Sequence, residues 1–148
     1  TTASAVIFGS LPINTEVEAA HRVSVDTNAT DGYQILVFSR QDLEASHGGI
    51  INAITSTNTN PASWAVACDG SSTGCFGYHP GDDTLAGGST RFTPNDSYSA
   101  FEVIPREILY STFPTVESHD VVYKIEVDEQ QPAGIYETQI VYIAVPRF

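Results

Sequence analysis

The sequence predicts an all-β fold, a β-sandwich of jelly-roll type with about eight to ten short strands spaced at intervals of roughly a dozen residues. Three observations carry this. The chain has 13 Val, 12 Ile and 15 Thr against 5 Leu and no Met, and stiff β-branched side chains suit a pleated sheet better than a helix. Apolar and polar residues alternate over long runs, above all Val17 to Asp26 and Val121 to Asp128, which is the period of a half-buried strand. Segments rich in Ser, Thr, Asn, Gly and Pro, notably Thr55 to Ser63 and Gly77 to Gly88, separate the runs as loops. At 148 residues, 41% hydrophobic and 16% charged, the chain suits one packed domain. The expected arrangement is an extended N-terminal arm over 1–10 and a single sandwich over 11–148.

Taken in order, Ala5 to Phe8 is the first candidate strand. In the next, Val17, Ala19, His21, Val23 and Val25 fall on one face and Glu18, Ala20, Arg22, Ser24 and Asp26 on the other. The turn Thr27-Asn28-Ala29-Thr30-Asp31-Gly32 follows, its Asp-Gly pair suited to a left-handed turn. Tyr33 to Ser39 then returns as a strand more apolar on both faces, so a hairpin is expected. Arg40 to Ser46 is the single helical candidate. Further strands are expected at Ile50 to Ile54, Trp64 to Cys68, Thr90 to Phe92, Tyr98 to Ile104 and Glu107 to Tyr110. At the end of the chain Val121, Tyr123, Ile125 and Val127 alternate with Val122, Lys124, Glu126 and Asp128. Gln130-Gln131-Pro132-Ala133-Gly134 makes a turn, and Ile135 to Val145 pairs back as a long return strand.

Charge narrows the function classes. Eighteen acidic against six basic residues give a formal net charge of −12. Lys124 is the only lysine, and Arg22, Arg40, Arg91, Arg106 and Arg147 are scattered. Phosphate contacts draw on clustered basic side chains, so nucleic-acid binding is disfavoured, as is adhesion to anionic lipid. No apolar run approaches the ~20 residues of a membrane helix, and no membrane insertion is expected. The absence of Met excludes Thr1 as a translation start. The small-residue opening Thr1-Thr2-Ala3-Ser4 suits a mature end left by a signal peptidase, so a secreted, cell-surface protein is expected. Cys68 and Cys75, the only cysteines, flank a Gly/Ser-rich loop. They are expected to form a disulfide in an oxidising compartment.

No constellation rises to a defined active site. Gly70-Ser71-Ser72-Thr73-Gly74 matches the G-x-S-x-G of hydrolases, but that motif needs a strand before it and a helix after it, and Phe76-Gly77-Tyr78 follows instead. His21, His47, His79 and His119 stand apart without metal-ligand spacing, His79 near Asp82 and Asp83 being the nearest to a nucleus. Asp26, Asn28, Thr30 and Asp31 loosely follow a calcium loop, but Asp31 stands where glycine is required and Val37 where a bidentate Glu is required. Nothing in the spacing of Asp82, Asp83, Glu102, Glu107, Asp128 and Glu129 selects the facing carboxylate pair of a glycosidase. No enzymatic activity and no cofactor or metal are expected.

The order of the segments Val6-Ile7-Phe8-Gly9, Val23 to Tyr33, Val122-Tyr123-Lys124-Ile125 and Gln131 to Thr138 resembles a family of small secreted β-sandwich proteins common in candidate-phyla bacteria. The closing Pro132-Ala133-Gly134-Ile135-Tyr136 turn is also similar to the end of WxL-type cell-surface domains. The first likeness spans nearly the whole chain, the second about its last third. What the resemblance implies is an exported, surface-associated or filament-forming protein without catalytic residues. The chain departs from the WxL pattern because Trp64 is followed by Ala65 and Val66.

The leading expectation is a structural subunit of an extracellular surface assembly, a pilus-like filament of copies of the chain. A sandwich with an open edge accepts a neighbour's extended segment by strand addition. The candidate donor is the arm, where Ala3, Ala5 and Ile7 alternate with Ser4, Val6 and Phe8, against the rival that it is the first strand of its own sheet. The alternative function is a carbohydrate-binding or adhesive module that uses loop aromatics such as Trp64, Tyr78 and Tyr98 on a glycan or cell-wall surface.

Overall fold

The structure, a computed structural model, describes residues 5–68 and 74–148. Among these residues the chain forms β1 (Val17–Thr27), β2 (Tyr33–Ser39), β3 (Leu43–Ala45), β4 (Ile50–Ala53), a one-turn helix α1 (Trp64–Ala67), β5 (Cys75–Pro80), β6 (Arg106–Ser111), β7 (Thr115–Glu126), β8 (Tyr136–Glu137) and β9 (Ile140–Pro146). Two sheets face each other, one in the order β1-β7-β5-β4-β3-β8 and the other β6-β2-β9. Every neighbouring pair is antiparallel except β4 with β5. The fold is an all-β sandwich.

The alternation of β7 explains the core. Val121, Tyr123 and Ile125, with Val127 just beyond the strand, are buried on one side against Tyr33, Ile35 and Val37 of β2 and Ile108 and Leu109 of β6. Between the sheets runs an aromatic stack, in which Phe101 lies over Phe76 at 5.5 Å and Tyr123 at 5.7 Å and leans on Tyr78 at 4.4 Å. The hydroxyls of Tyr123 and Tyr142 bond to each other from opposite sheets. On the other face of β5 a second cluster gathers Ile54, Trp64, Ala67, Cys75 and Tyr98. The Cys68–Cys75 disulfide forms as expected and ties the end of α1 to the start of β5 beside that cluster.

Several expectations are corrected. β1 and β2 do not form a hairpin: β1 pairs with β7, and β2 with β6 and β9. The link between them, residues 28–32, crosses from one sheet to the other, with its own Ala29 buried and Gly32 at φ +75°. A Cβ on Gly32 would meet the Ser111 carbonyl oxygen at 2.3 Å, so the crossing is held against the end of β6. The closing pair is likewise split, since β7 lies between β1 and β5 while the return run breaks into β8 and β9 and joins β3 and β2. Trp64 to Cys68 is helical rather than extended, Cys68 N–H bonding back to Trp64 O at 2.8 Å. Arg40 to Ser46 is not a helix; Leu43 and Glu44 pair with Ile51 and Ile50. The loop expected from Gly77 begins inside β5. Thr90 to Phe92 forms no strand, and Tyr98 to Ile104 contributes only bridges at Tyr98 and Ser99. Ala5 to Phe8 forms no strand either.

Two outcomes follow from this framework. Reducing the disulfide should lower stability by about 2.5 kcal/mol through the entropy of the released loop, measured by urea unfolding with and without reductant and followed by Trp64 fluorescence. Gly32→Ala should cost more than about 1 kcal/mol, because both the positive φ and the Ser111 backbone oppose a side chain. The same unfolding assay reads it.

Candidate assembly surface

The arm leads from residue 5 into β1. Its sequence alternates, and the structure keeps that alternation: Val6, Phe8 and Leu11 are half-buried and pack on the main core, whereas Ala5 is exposed and Ile7 is 82% exposed. The Phe8 ring meets the Phe76 ring edge-on at 6.3 Å. Yet no backbone hydrogen bond joins residues 5–12 to the backbone of another described residue. The first such bond is Asn14 N–H to Val127 O, 2.8 Å, beside a single parallel bridge at Ile13. Side chains seat the arm; backbone pairing does not. Ala3, the remaining donor residue expected from sequence, lies outside the described residues, as does Ser4.

Each sheet ends in two edge strands, β1 and β8 in one and β6 and β9 in the other, and β1 and β9 lie at the same side of the sandwich. They approach each other there, the His21 ring of β1 lying 5.8 Å from the Tyr142 ring of β9. Their outer faces differ in chemistry. Beside β1 stand Glu18, Arg22, Ser24 and Asp26, with Arg22 donating to both Asp120 oxygens at 2.7 and 2.8 Å and Ser24 bonded to Ser118. Beside β9 the outer face carries Val141, Ile143 and Val145, next to Phe38 and Leu36 of β2.

The other candidate residues are occupied structurally. Trp64, Tyr78 and Tyr98 are 2%, 1% and 4% exposed, so these rings form no open platform for a sugar. His79 Nδ1 pairs with Ser97 O at 2.8 Å. Asp82 accepts the Thr84 and Tyr110 N–H groups at 3.0 and 2.8 Å, and burial pushes its carboxyl pKa up. Among the described residues no group of three or more His, Cys, Asp or Glu is placed to hold a metal. Of the hydrolase-like motif, residues 70–73 lie outside the described residues. A depression of about 330 Å³ opens beside Glu18, His79, Asn95, Tyr98 and Asp120. Both its carboxylates are engaged, Asp120 by Arg22 and Glu18 by the Tyr98 hydroxyl at 2.8 Å and by Lys124 at 3.3 Å.

Lys124, which sequence sets on the face opposite Val121, Tyr123 and Ile125, has partners that sequence did not reveal. Its ammonium lies 2.5 Å from Glu16, 5.3 Å from the Trp64 ring centre and 4.9 Å from that of Tyr98. Burial opposes its charge, but the Glu16 and Glu18 carboxylates outweigh that and raise its pKa. A raised lysine stabilises the fold fully below the usual lysine range, about 10.4, and loses that contribution as pH rises through the folded value. Lys124→Met should therefore cost about 1–2 kcal/mol near neutrality, with the gap to the parent chain narrowing only above pH ~10. Urea unfolding across pH checks it.

No family model, curated protein or solved structure matches the chain.

Proposed function

We propose that the chain is a non-enzymatic structural subunit of an extracellular surface assembly, joined to copies of itself by exchange of the N-terminal arm to form a pilus-like filament. The observation that carries this reading is the arm's half-made attachment: Val6, Phe8 and Leu11 enter the core while residues 5–12 lack backbone pairing among the described residues. An arm held by side chains alone is released at low cost, and once released its apolar side chains need another apolar surface, which a neighbouring copy can supply. A neighbour's open strand edge adds the main-chain hydrogen bonds that the arm lacks at home. The disulfide supports an oxidising compartment.

Negative-stain electron microscopy of the whole chain, alongside a version lacking residues 1–10, tests it. Filaments from the whole chain that vanish on truncation are the expected result. Dispersed particles from both would overturn the reading. Phe8→Asp, which puts a charge where the ring meets Phe76, should shorten or abolish the filaments in the same assay.

A further inference from the structure

Resting on that reading, we infer that the acceptor for the arm is the free edge of β9, and that the occupant is residues 5–8 of a second copy. Of the four edge strands, β8 has only two residues, and β6 is occupied by loop side chains, Asn58 and Arg91 on Glu107 O and Asp82 on Tyr110 N–H; between β1 and β9 the faces decide. The donor is apolar on both sides: Val6 and Phe8 on one, Ala5 and Ile7 on the other. An added strand continues both faces of the sheet it joins. Beside β1 one of those faces would run on from Glu18, Arg22, Ser24 and Asp26 and leave Ile7 among ions. Beside β9 it would run on from Val141, Ile143 and Val145.

The inner face of β9 points the same way. Ile140, Tyr142, Ala144 and Pro146 share one side of the strand, opposite Ser39, Val37, Ile35 and Tyr33, all four buried. Ile140 and Tyr142 pack on the core, but Ala144 and Pro146 are exposed. Inward positions left uncovered mark the stretch of the sandwich where another strand has room, and Val6 and Phe8 supply side chains for it. Charge agrees as well. Residues 1–15 hold no charged side chain and neither does β9, so in a chain of net charge −12 these are segments that meet without carboxylate repulsion.

Full-length chains carrying one new cysteine each distinguish the edges. A chain with Ile7→Cys is mixed under mild oxidation with a chain bearing Val141→Cys, Ile143→Cys or Val145→Cys, and in parallel with one bearing Ala20→Cys or Ser24→Cys on β1. The three β9 positions cover the possible registers of a cross-strand pair. Disulfide-linked dimers are separated without reductant and their linked positions read by mass spectrometry. Expected is a link from position 7 to at least one β9 position forming ten or more times faster than any link to β1. Links to β1 at an equal or greater rate, links between the β9 positions of two copies as the main product, or filaments with no link to β9 would each overturn the assignment while leaving assembly through the arm intact. Absence of any arm-dependent filament would remove both.

Discussion

β7 is the constraint on which the molecule depends. It pairs with β1 along nearly its whole length and with β5 over its last six residues, and its inward residues Val121, Tyr123 and Ile125 touch both sheets' contributions to the core. Because side chains alternate with a period of two, fixing those residues inward fixes Lys124 and Glu126 outward, under Trp64 and Tyr98. A slip of one residue would carry an ammonium into the aromatic stack. The second cluster, the disulfide and the ion pairs around Lys124 all inherit their positions from that register.

The two clusters on either side of β5 divide the labour. The main core, with its stack of Phe76, Phe101, Tyr78 and Tyr123, holds the sheets together. The smaller one covers the outer face of β5 with a one-turn helix and the Tyr98 ring, edge-on to Trp64 at 5.3 Å. Some polar side chains at these buried places are fully matched, although Arg91 Nε is left without a partner among the described residues. Asn58, for example, donates to the Tyr78 hydroxyl and to Glu107 O at 2.9 Å each and accepts from Arg91 at 2.7 Å. Such a fully partnered amide orders a loop that has no regular structure of its own.

Strand content and inward faces were legible because alternation is a local property. Tyr33 to Ser39 coincides with β2, and the two faces expected for Val17 to Asp26 are those seen. Pairing was not legible. A strand facing inward satisfies its pattern equally well in either sheet, and the turn chemistry of Asp31-Gly32 serves a crossing between sheets as readily as a hairpin. Short apolar runs misled in both directions: Trp64 to Ala67 is too brief for its period to separate helix from strand, while Leu43 is drawn into a sheet by Ile51 against the local tendency of its neighbours. For the candidate site, the alternation of the arm was visible in sequence. The chemical difference between the β1 and β9 edges was not, because it arises only when β9 lies beside Leu36 and Phe38 rather than beside β7.

The placement of Lys124 has a practical consequence. The chain owns one lysine, and its side chain is 9% exposed beneath two rings and beside two carboxylates. The only side-chain amine is therefore shielded and ion-paired. Aldehyde fixation, acylating labels and enzymes that stitch proteins together through lysine have only that amine and the α-amino group of each chain to act on. A lysine-directed cross-linker is therefore a poor probe of whether copies of this protein associate.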